Sequence, residues 1–362
     1  MSKKIRVAVL FGGKSAEHEV SLRSAKNIID AMDKKKYDPV LIGIDKTGRW
    51  LPSAESSLLL SGSKIDSREA GNVVAMIPQE SGKIIETSSK EKQDYVDVVF
   101  PILHGPFGED GTVQGLLKLA NVPFVGAGVV GSAVGMDKDV MKRLLRDAGI
   151  LVAKFLVFKK HQINTIKFNH IKKELGIPFF VKPANLGSSV GIFKVHNQKE
   201  FKIAIEDAFK YDNKVLLEEF IEGREIECSV LGNEKPVASV PGEIILQHEF
   251  YSYDAKYLDE NGAVLKIPAN LPKSIIKNIQ KVAVEAFEVL CCEGMARVDF
   301  FLSKDNRVYI NEINTIPGFT SVSMYPKLWE ETGITYTELI DKLIQLAIER
   351  FESESKLKTS LY

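Results

Sequence analysis

The sequence predicts an α/β N-terminal domain followed by an α+β region, with two or three domains sharing a central cleft. Three observations carry that expectation. The chain has 362 residues, more than one hydrophobic core usually serves, and clefts between domains favour small-molecule sites. It opens as strand, glycine turn and helix: residues 5–11 are apolar apart from Arg6, Gly12 and Gly13 follow, and Leu22, Ala25, Ile29 and Met32 recur on one helical face. Beyond residue 150, short β-rich segments take over, as antiparallel hairpins do.

The other elements follow in order. Strands are expected at 40–44, 96–101 and 123–125. Residues 52–93, rich in Ser, Lys and Glu with little periodicity, read as a surface elaboration. A helix spans 137–148, with Met141, Leu144, Leu145 and Ala148 apolar and Gly149 placed to end it. Strands recur at 155–158, 178–182, 191–195, 215–220, 226–231 and 237–241, then as a pair at 296–302 and 307–313. At 335–338 a Thr-x-x-Glu capping box precedes a helix that buries Leu339, Leu343, Ile344 and Ala347.

Composition excludes several function classes. Forty-eight basic residues balance forty-eight acidic ones, so there is no broad positive field for nucleic acid or an anionic membrane. Any anion must be gripped locally. No run is long enough to span a bilayer. Residues 1–11 lack a signal-type apolar stretch, so a cytoplasmic protein without a membrane partner is expected. Cys228, Cys291 and Cys292 are odd in number and lack Cys-x-x-Cys spacing, which favours reduced thiols over disulfides or a zinc cage.

The stretch A-R-V-D-F-F-L-S-K-D-N-R-V-Y-I-N-E-I-N at 296–314 reads as two strands joined by a two-residue turn at Asp305 and Asn306. That register sets Lys304 opposite Arg307, Asp299 opposite Glu312 and Arg297 opposite Asn314. Alternation puts the last four on one surface, with Val298, Phe300 and Ile313 on the other. Two facing carboxylates repel unless a cation or proton lies between them, and two carboxylates with an amide suit magnesium or manganese. An ordinary solvent-facing charged hairpin is the competing reading of this fragment.

Lys182 ends an apolar strand, and N-L-G-S-S-V-G at 185–191 follows before another strand. Backbone N–H groups of such a loop approach phosphate oxygens closely while a lysine supplies point charge; a tight hairpin with a surface lysine is the plainer alternative. A Walker A loop is excluded, because Ala8 stands where Gly13, Lys14 and Ser15 would need a preceding glycine. Glu218 and Glu219 close an apolar strand and Glu225 follows Gly223, which suits adenine and ribose or a solvated acidic strand end. G-A-G-V-V-G at 126–131 satisfies G-x-G-x-x-G after an expected strand and raises the rival reading of a Rossmann-type NAD(P)-dependent oxidoreductase. The acidic residue that a dinucleotide site wants farther on would be Asp147, which lies inside an expected helix.

Five ordered blocks make the chain resemble the D-alanine–D-alanine ligases of the ATP-grasp superfamily over about residues 4–348. They are G-G-K-S-A-E-H-E-V-S-L at 12–22, H-G-P-F-G-E-D-G-T-V-Q-G at 104–115, V-K-P-A-N-L-G-S-S-V-G at 181–191, Y-D-A-K-Y-L at 253–258 and N-E-I-N-T-I-P-G at 311–318. The resemblance implies three domains around a central cleft: an N-terminal α/β domain over 1–136, a central ATP-grasp subdomain over 137–222 and a C-terminal one over 223–362 with the metal hairpin and a substrate lid. It implies that ATP phosphorylates the carboxylate of a first D-alanine and that the amine of a second attacks the acyl phosphate, giving a dipeptide for peptidoglycan. Two D-alanine molecules, ATP and two magnesium ions, replaceable by manganese, are the implied ligands, and a homodimer is the implied assembly.

Position by position, the resemblance implies phosphate contacts from Lys138 and Lys182, with Lys256 at the transferred phosphate. Glu218 and the backbone of Phe220 and Ile221 would hold adenine, and Glu225 the ribose. Asp299, Glu312 and Asn314 would bind the metal. Glu17 would pair with the first ammonium and close the site with Ser188 and Tyr257, while His104 lies near the first carboxylate. Arg297 and the Gly318 N–H would stabilise the oxyanion, and Ser323 and Met324 would receive the second carboxylate. The aromatic-rich stretch 247–267 reads as a lid that keeps water from the acyl phosphate, and Tyr257 within it favours an amine over lactate. Glu219 stands where several family members carry lysine, which leaves its base contact open. Another ATP-grasp carboxylate–amine ligase, a D-alanine–D-lactate ligase and an inactive ATP-binding module are the nearer alternatives.

Overall fold

The computed structural model describes residues 3–62, 73–86, 93–187, 190–246 and 263–358. The mixed α/β class is as expected. The first sheet is built from β1 (Ile5–Gly12), β2 (Tyr37–Ile44), β3 (Trp50–Leu51) and a later strand, with α1 (His18–Ala31) joining β1 to β2 and α2 (Ser53–Leu60) after β3. Three short strands, β4 (Val74–Met76), β5 (Lys83–Glu86) and β6 (Gln93–Tyr95), form a sheet of their own before β7 (Val98–Ile102) completes the first one in the order β3-β2-β1-β7. β1 runs parallel to both neighbours, and such strands, covered on both faces, need a near-continuous apolar run. Residues 7–11 supply it, each fully buried.

Two expectations in this half need correction. Residues 52–93 are more than a surface elaboration, because the buried Ser56 hydroxyl donates to Leu51 O at 2.9 Å and accepts from Gly43 N at 2.7 Å, while Val74, Met76 and Ile84 join the core. Strands this short alternate too few times to show a period. Residues 123–125 make no strand; Phe124 alone bridges Val99.

Three helices lead out of this region: α3 (Thr112–Leu119), α4 (Val129–Met136) and α5 (Lys138–Asp147). α5 starts where expected because the Asp137 carboxylate caps it, accepting from Asp139 N and Val140 N at 3.1 Å. An antiparallel sheet of order β10-β9-β11-β8 follows. It contains β8 (Phe155–Lys159), β9 (Phe179–Pro183), β10 (Phe193–Val195) and β11 (Lys214–Glu219), and is backed by α6 (Phe168–Leu175) and α7 (Gln198–Tyr211) through Phe168, Phe179 and Phe201.

The largest sheet comprises β12 (Gly223–Gly232), β13 (Val237–Ala238), β14 (Gly242–Leu246), β15 (Ala263–Lys266), β16 (Gly294–Ser303) and β17 (Val308–Asn314), ordered β15-β14-β12-β16-β17 with β13 on β12. Its inner face buries Ile226, Cys228, Val230, Val298, Phe300 and Ile310 against α8 (Lys273–Val289) and against Met141 and Leu145 of α5. Its outer face is left for polar side chains.

The β16–β17 hairpin keeps the expected pairs Arg297 with Asn314 and Asp299 with Glu312, but Phe300 pairs with Ile310. The two-residue turn is corrected to a three-residue one: Ser303 N bonds Arg307 O at 3.0 Å and Asn306 takes the left-handed conformation at φ 62°. Asn311 is an extra residue in β17, a β-bulge that restores the register beyond it. The longer turn and the bulge each shift the pairing by one residue and cancel.

After β17 the chain forms α9 (Met324–Glu331) and α10 (Tyr336–Ser355). The capping box is present: Thr335 N donates to Glu338 Oε2 at 2.9 Å and Glu338 N to Thr335 Oγ1 at 3.3 Å. Leu339, Leu343, Ile344 and Ala347 of α10 enter the core formed by Val7, Val9, Phe11 and Phe100. Arg350, one turn farther on, donates to Gly126 O at 2.6 Å and Phe124 O at 2.8 Å and lies over the Phe124 ring.

Candidate active site

Two cavities, of about 290 Å³ and about 160 Å³, meet along the outer face of the largest sheet. Gly187, Glu227, Ile244 and Glu312 line both. Where they meet, strand register aligns Glu227 of β12 with Asp299 of β16, and Asp299 with Glu312 of β17. Three carboxylates in one row require positive charge among them. Arg297 supplies it: Nε and Nη2 donate to the two Asp299 oxygens at 2.7 and 2.8 Å, and Nε lies 2.9 Å from Glu227 Oε2. Burial opposes the arginine's charge, yet Asp299 and then Glu227 hold its pKa well above the usual value. Asn314 Nδ2 donates to Asp299 Oδ2 at 2.9 Å.

Asp299, Glu312 and Asn314 thus stand together as expected, a set of oxygen donors of the type that hard divalent cations take. Among the described residues no cluster of three or more His, Cys, Asp or Glu side chains is placed to hold a metal. An amide from Asn314 has to complete such a set, and the donors present fit magnesium.

The larger cavity is walled by lysines. Lys138 Nζ donates to Leu186 O at 2.7 Å, at the start of the glycine–serine loop, and lies 3.3 Å from Glu312 Oε2. Lys182 pairs with Glu218 and reaches Asn311 Oδ1 at 3.4 Å. Glu218 is buried, and Lys142, fully buried, approaches its other oxygen at 2.5 Å. Burial alone would raise the Glu218 carboxyl, but Lys142 and then Lys182 hold it below its ordinary range. Asp212 anchors the loop by accepting from Asn185 N at 2.8 Å and Nδ2 at 2.9 Å. Glu219, Phe220, Ile221 and Glu225 line the same cavity. Glu219 Oε1 accepts from Lys154 N at 2.6 Å, and Lys194 sits 4.5 Å above the Phe220 ring.

The smaller cavity gathers Glu17, His104, Glu109, Arg297, Gly318, Ser323 and Met324. His104 is buried and keeps its ring pKa below the usual imidazole value, chiefly through burial and against the pull of Glu17. Its Nδ1 donates to Ile316 O at 3.1 Å; a carbonyl only accepts, so the proton sits there and Nε2 presents a lone pair. Glu109 accepts from Gly105 N at 2.6 Å, and loss of water around it, then Glu17, pushes its pKa up to about 8. At Gly318 a side chain would meet Ser323 Oγ at 2.7 Å, so the backbone approaches the cavity unscreened. Ser323 and Met324 open α9, and the first main-chain N–H groups of a helix have no partner within it.

Residues 6–127 match the family model described as D-ala D-ala ligase N-terminus, and residues 144–345 match the one described as D-ala D-ala ligase C-terminus. The chain belongs to the D-alanine–D-alanine ligase family. The D-alanine–D-alanine ligase of Oceanobacillus iheyensis is 55% identical over 361 residues, covering 99% of each chain. D-alanine–D-alanine ligase A of Escherichia coli K12 is 51% identical, over 99% of this chain and 100% of that one. Two solved structures share the fold. The Coxiella burnetii D-alanine-D-alanine ligase has a TM-score of 0.87 at 40% identity, covering 98% of this chain and 97% of that one. The VanG D-Ala:D-Ser ligase of Enterococcus faecalis has 0.86 at 37%, covering 95% and 100%.

The oxidoreductase motif finds its explanation within this family's fold. Gly131 lies where a side chain would come within 2.4 Å of Cys291 O, so it serves close packing, and among the described residues no strand leads directly into Gly126 to carry a dinucleotide turn. Ser188, Lys256, Tyr257 and residues 247–262 of the expected lid lie outside the described residues. Glu227, Asn311, Lys142 and Glu109 join the site without having been expected there from the sequence. Period-2 alternation from Glu225 would have put Glu227 on the cleft face, and helical spacing puts Lys142 one turn beyond Lys138. Asn311 and Glu109 stood inside the quoted blocks without a charge or spacing argument to single them out.

Proposed function

We propose that the protein joins two D-alanine molecules to D-alanyl-D-alanine, driven by conversion of ATP to ADP and phosphate, in the three-domain ATP-grasp arrangement with boundaries near residues 136 and 222. One observation carries the reading. Arg297 stands at the junction of a lysine-walled cavity and a cavity with carboxylates and a helix N-terminus, beside the oxygen-donor set. That is the arrangement an acyl-phosphate reaction needs, with phosphate on one side and two amino acids on the other.

Lys138 and Lys182 hold phosphate oxygens, with the backbone of Phe220 and Ile221 at adenine and Glu225 at ribose. Glu17 pairs with the first ammonium, and His104 lies near the carboxylate of the same substrate. A carboxylate oxygen of the first D-alanine attacks the γ-phosphorus and ADP leaves. The free amine of the second D-alanine, its carboxylate at Ser323 and Met324, then attacks the carbonyl carbon. Arg297 and the Gly318 N–H stabilise the oxyanion, and the C–O bond to phosphate breaks as the amide forms. Magnesium ions at Asp299, Glu312 and Asn314 would offset charge on the phosphate oxygens. Ser188, Lys256 and Tyr257 complete the closed site in this reading.

By the same family argument the protein works in the cytoplasm as a homodimer, supplying a peptidoglycan precursor; light scattering tests the assembly. Mass spectrometry of products from ATP, magnesium and D-alanine, D-serine, D-lactate or L-alanine tests the reaction. The dipeptide of D-alanine should dominate. Equal turnover of L-alanine overturns the proposal, and preferred D-serine incorporation moves the chain toward the activity named for the Enterococcus faecalis neighbour.

A further inference from the structure

Lys142 belongs to no step above, yet its ammonium is fully buried on α5, and it meets Glu218 Oε1 at 2.5 Å. The other Glu218 oxygen meets Lys182, the phosphate lysine of the proposed reaction. Neighbouring α5 residues Met141 and Leu145 pack into the core, so an apolar side chain at 142 would satisfy packing. A buried charge retained in such a place carries a desolvation penalty unless partners offset it. Two ammonium groups on one buried carboxylate have a definite electrostatic consequence. A carboxylate with a single buried partner holds it strongly, and phosphate would have to compete for Lys182. With Lys142 also on Glu218, the negative charge is divided and Lys182 keeps positive charge to offer.

We propose that Lys142 is a positioning residue of the nucleotide site, the resident counter-ion of Glu218 that leaves Lys182 available to phosphate. The proposal rests on the reading of Lys182 as a phosphate ligand. Because Lys142 acts through Glu218, its effect must vanish when Glu218 loses its charge.

The experiment is a double-mutant cycle on the full chain, with ATP Kd from calorimetry, which needs no turnover, and separate KM values for ATP and D-alanine. K142M should weaken ATP about tenfold, as coupled neighbours do, with the D-alanine KM nearly unchanged, and K142R should restore ATP binding. In the E218Q background, K142M should leave ATP Kd unchanged or tighten it. Equal losses from K142M in both backgrounds overturn the proposal, as does a K142M protein that binds ATP like the parent. Should K142M alone not fold, E218Q against K142M/E218Q decides: equal or tighter binding in the double variant supports the proposal, and weaker binding overturns it. A parent that binds no ATP defeats the ligase reading itself, whereas a parent with normal turnover and an additive cycle defeats only the role of Lys142.

Discussion

Arg297 holds two carboxylates in the resting site and faces the developing oxyanion in the proposed reaction. Its fork matters because Nε and Nη2 engage both Asp299 oxygens, a geometry that an ammonium cannot copy. R297K should therefore lower kcat at least about 100-fold in an ADP-release assay, and a value within twofold of the parent would remove Arg297 from the chemistry. Glu109 gives a pH prediction. Its folded pKa of about 8 stands above its ordinary 4.5, so the fold favours the protonated form. Its contribution to stability falls as pH rises from about 4.5 to 8 and then levels off. E109Q should remove that slope, gaining about 3–4 kcal/mol on the parent at pH 8 relative to pH 5 in denaturant melts; parallel pH profiles would refute it. Arg297, Asp299, Glu312 and Asn314 were legible in sequence because alternation and like-charge repulsion act locally. Lys142 was not, since only the packing of α5 against β11 brings it to Glu218.

At the scale of elements, the β16–β17 hairpin shows what a residue pattern can and cannot reveal. The turn and the bulge each shift pairing by one, and the alternation of apolar residues is blind to two shifts that cancel. What the bulge adds is chemical: Asn311 and Glu312, adjacent in sequence, both line the larger cavity, where regular alternation allows one. Deleting Asn311 leaves a regular ladder with Glu312 still opposite Asp299 and Ile310 and Ile313 still inward. The deletion variant should fold cooperatively with a thermal midpoint within about 5 °C of the parent and show a raised KM for ATP, since Lys182 loses the Asn311 contact. An insoluble deletion variant would mean that the bend of the bulged strand, rather than its extra side chain, is what the fold requires. The loss of the expected strand at 123–125 has a non-local side to it. Phe124 O, and Gly126 O just beyond the segment, bond to Arg350 of a distant helix, a partner invisible from the segment itself.

For the whole molecule, that arginine is the informative contact. Phe124 O and Gly126 O lie in the first half of the chain, Arg350 in its last helix, and R350M strands both carbonyls. The expected cost is about 2–4 kcal/mol in unfolding, with kcat at 25 °C within about twofold of the parent because Arg350 lines neither active-site cavity. An unchanged melting curve would show that α10 is held without help from Arg350. The α/β opening was readable from its own residues, but not the fact that Leu339, Ile340, Leu343 and Ile344 finish its core. This return of α10 has a temporal consequence. During synthesis β1, β2 and β7 leave the ribosome with α1 well before α10, so the part of the sheet's apolar face that α1 does not cover waits until some 240 further residues have been made. The nascent chain should then depend on chaperones that shield such a face.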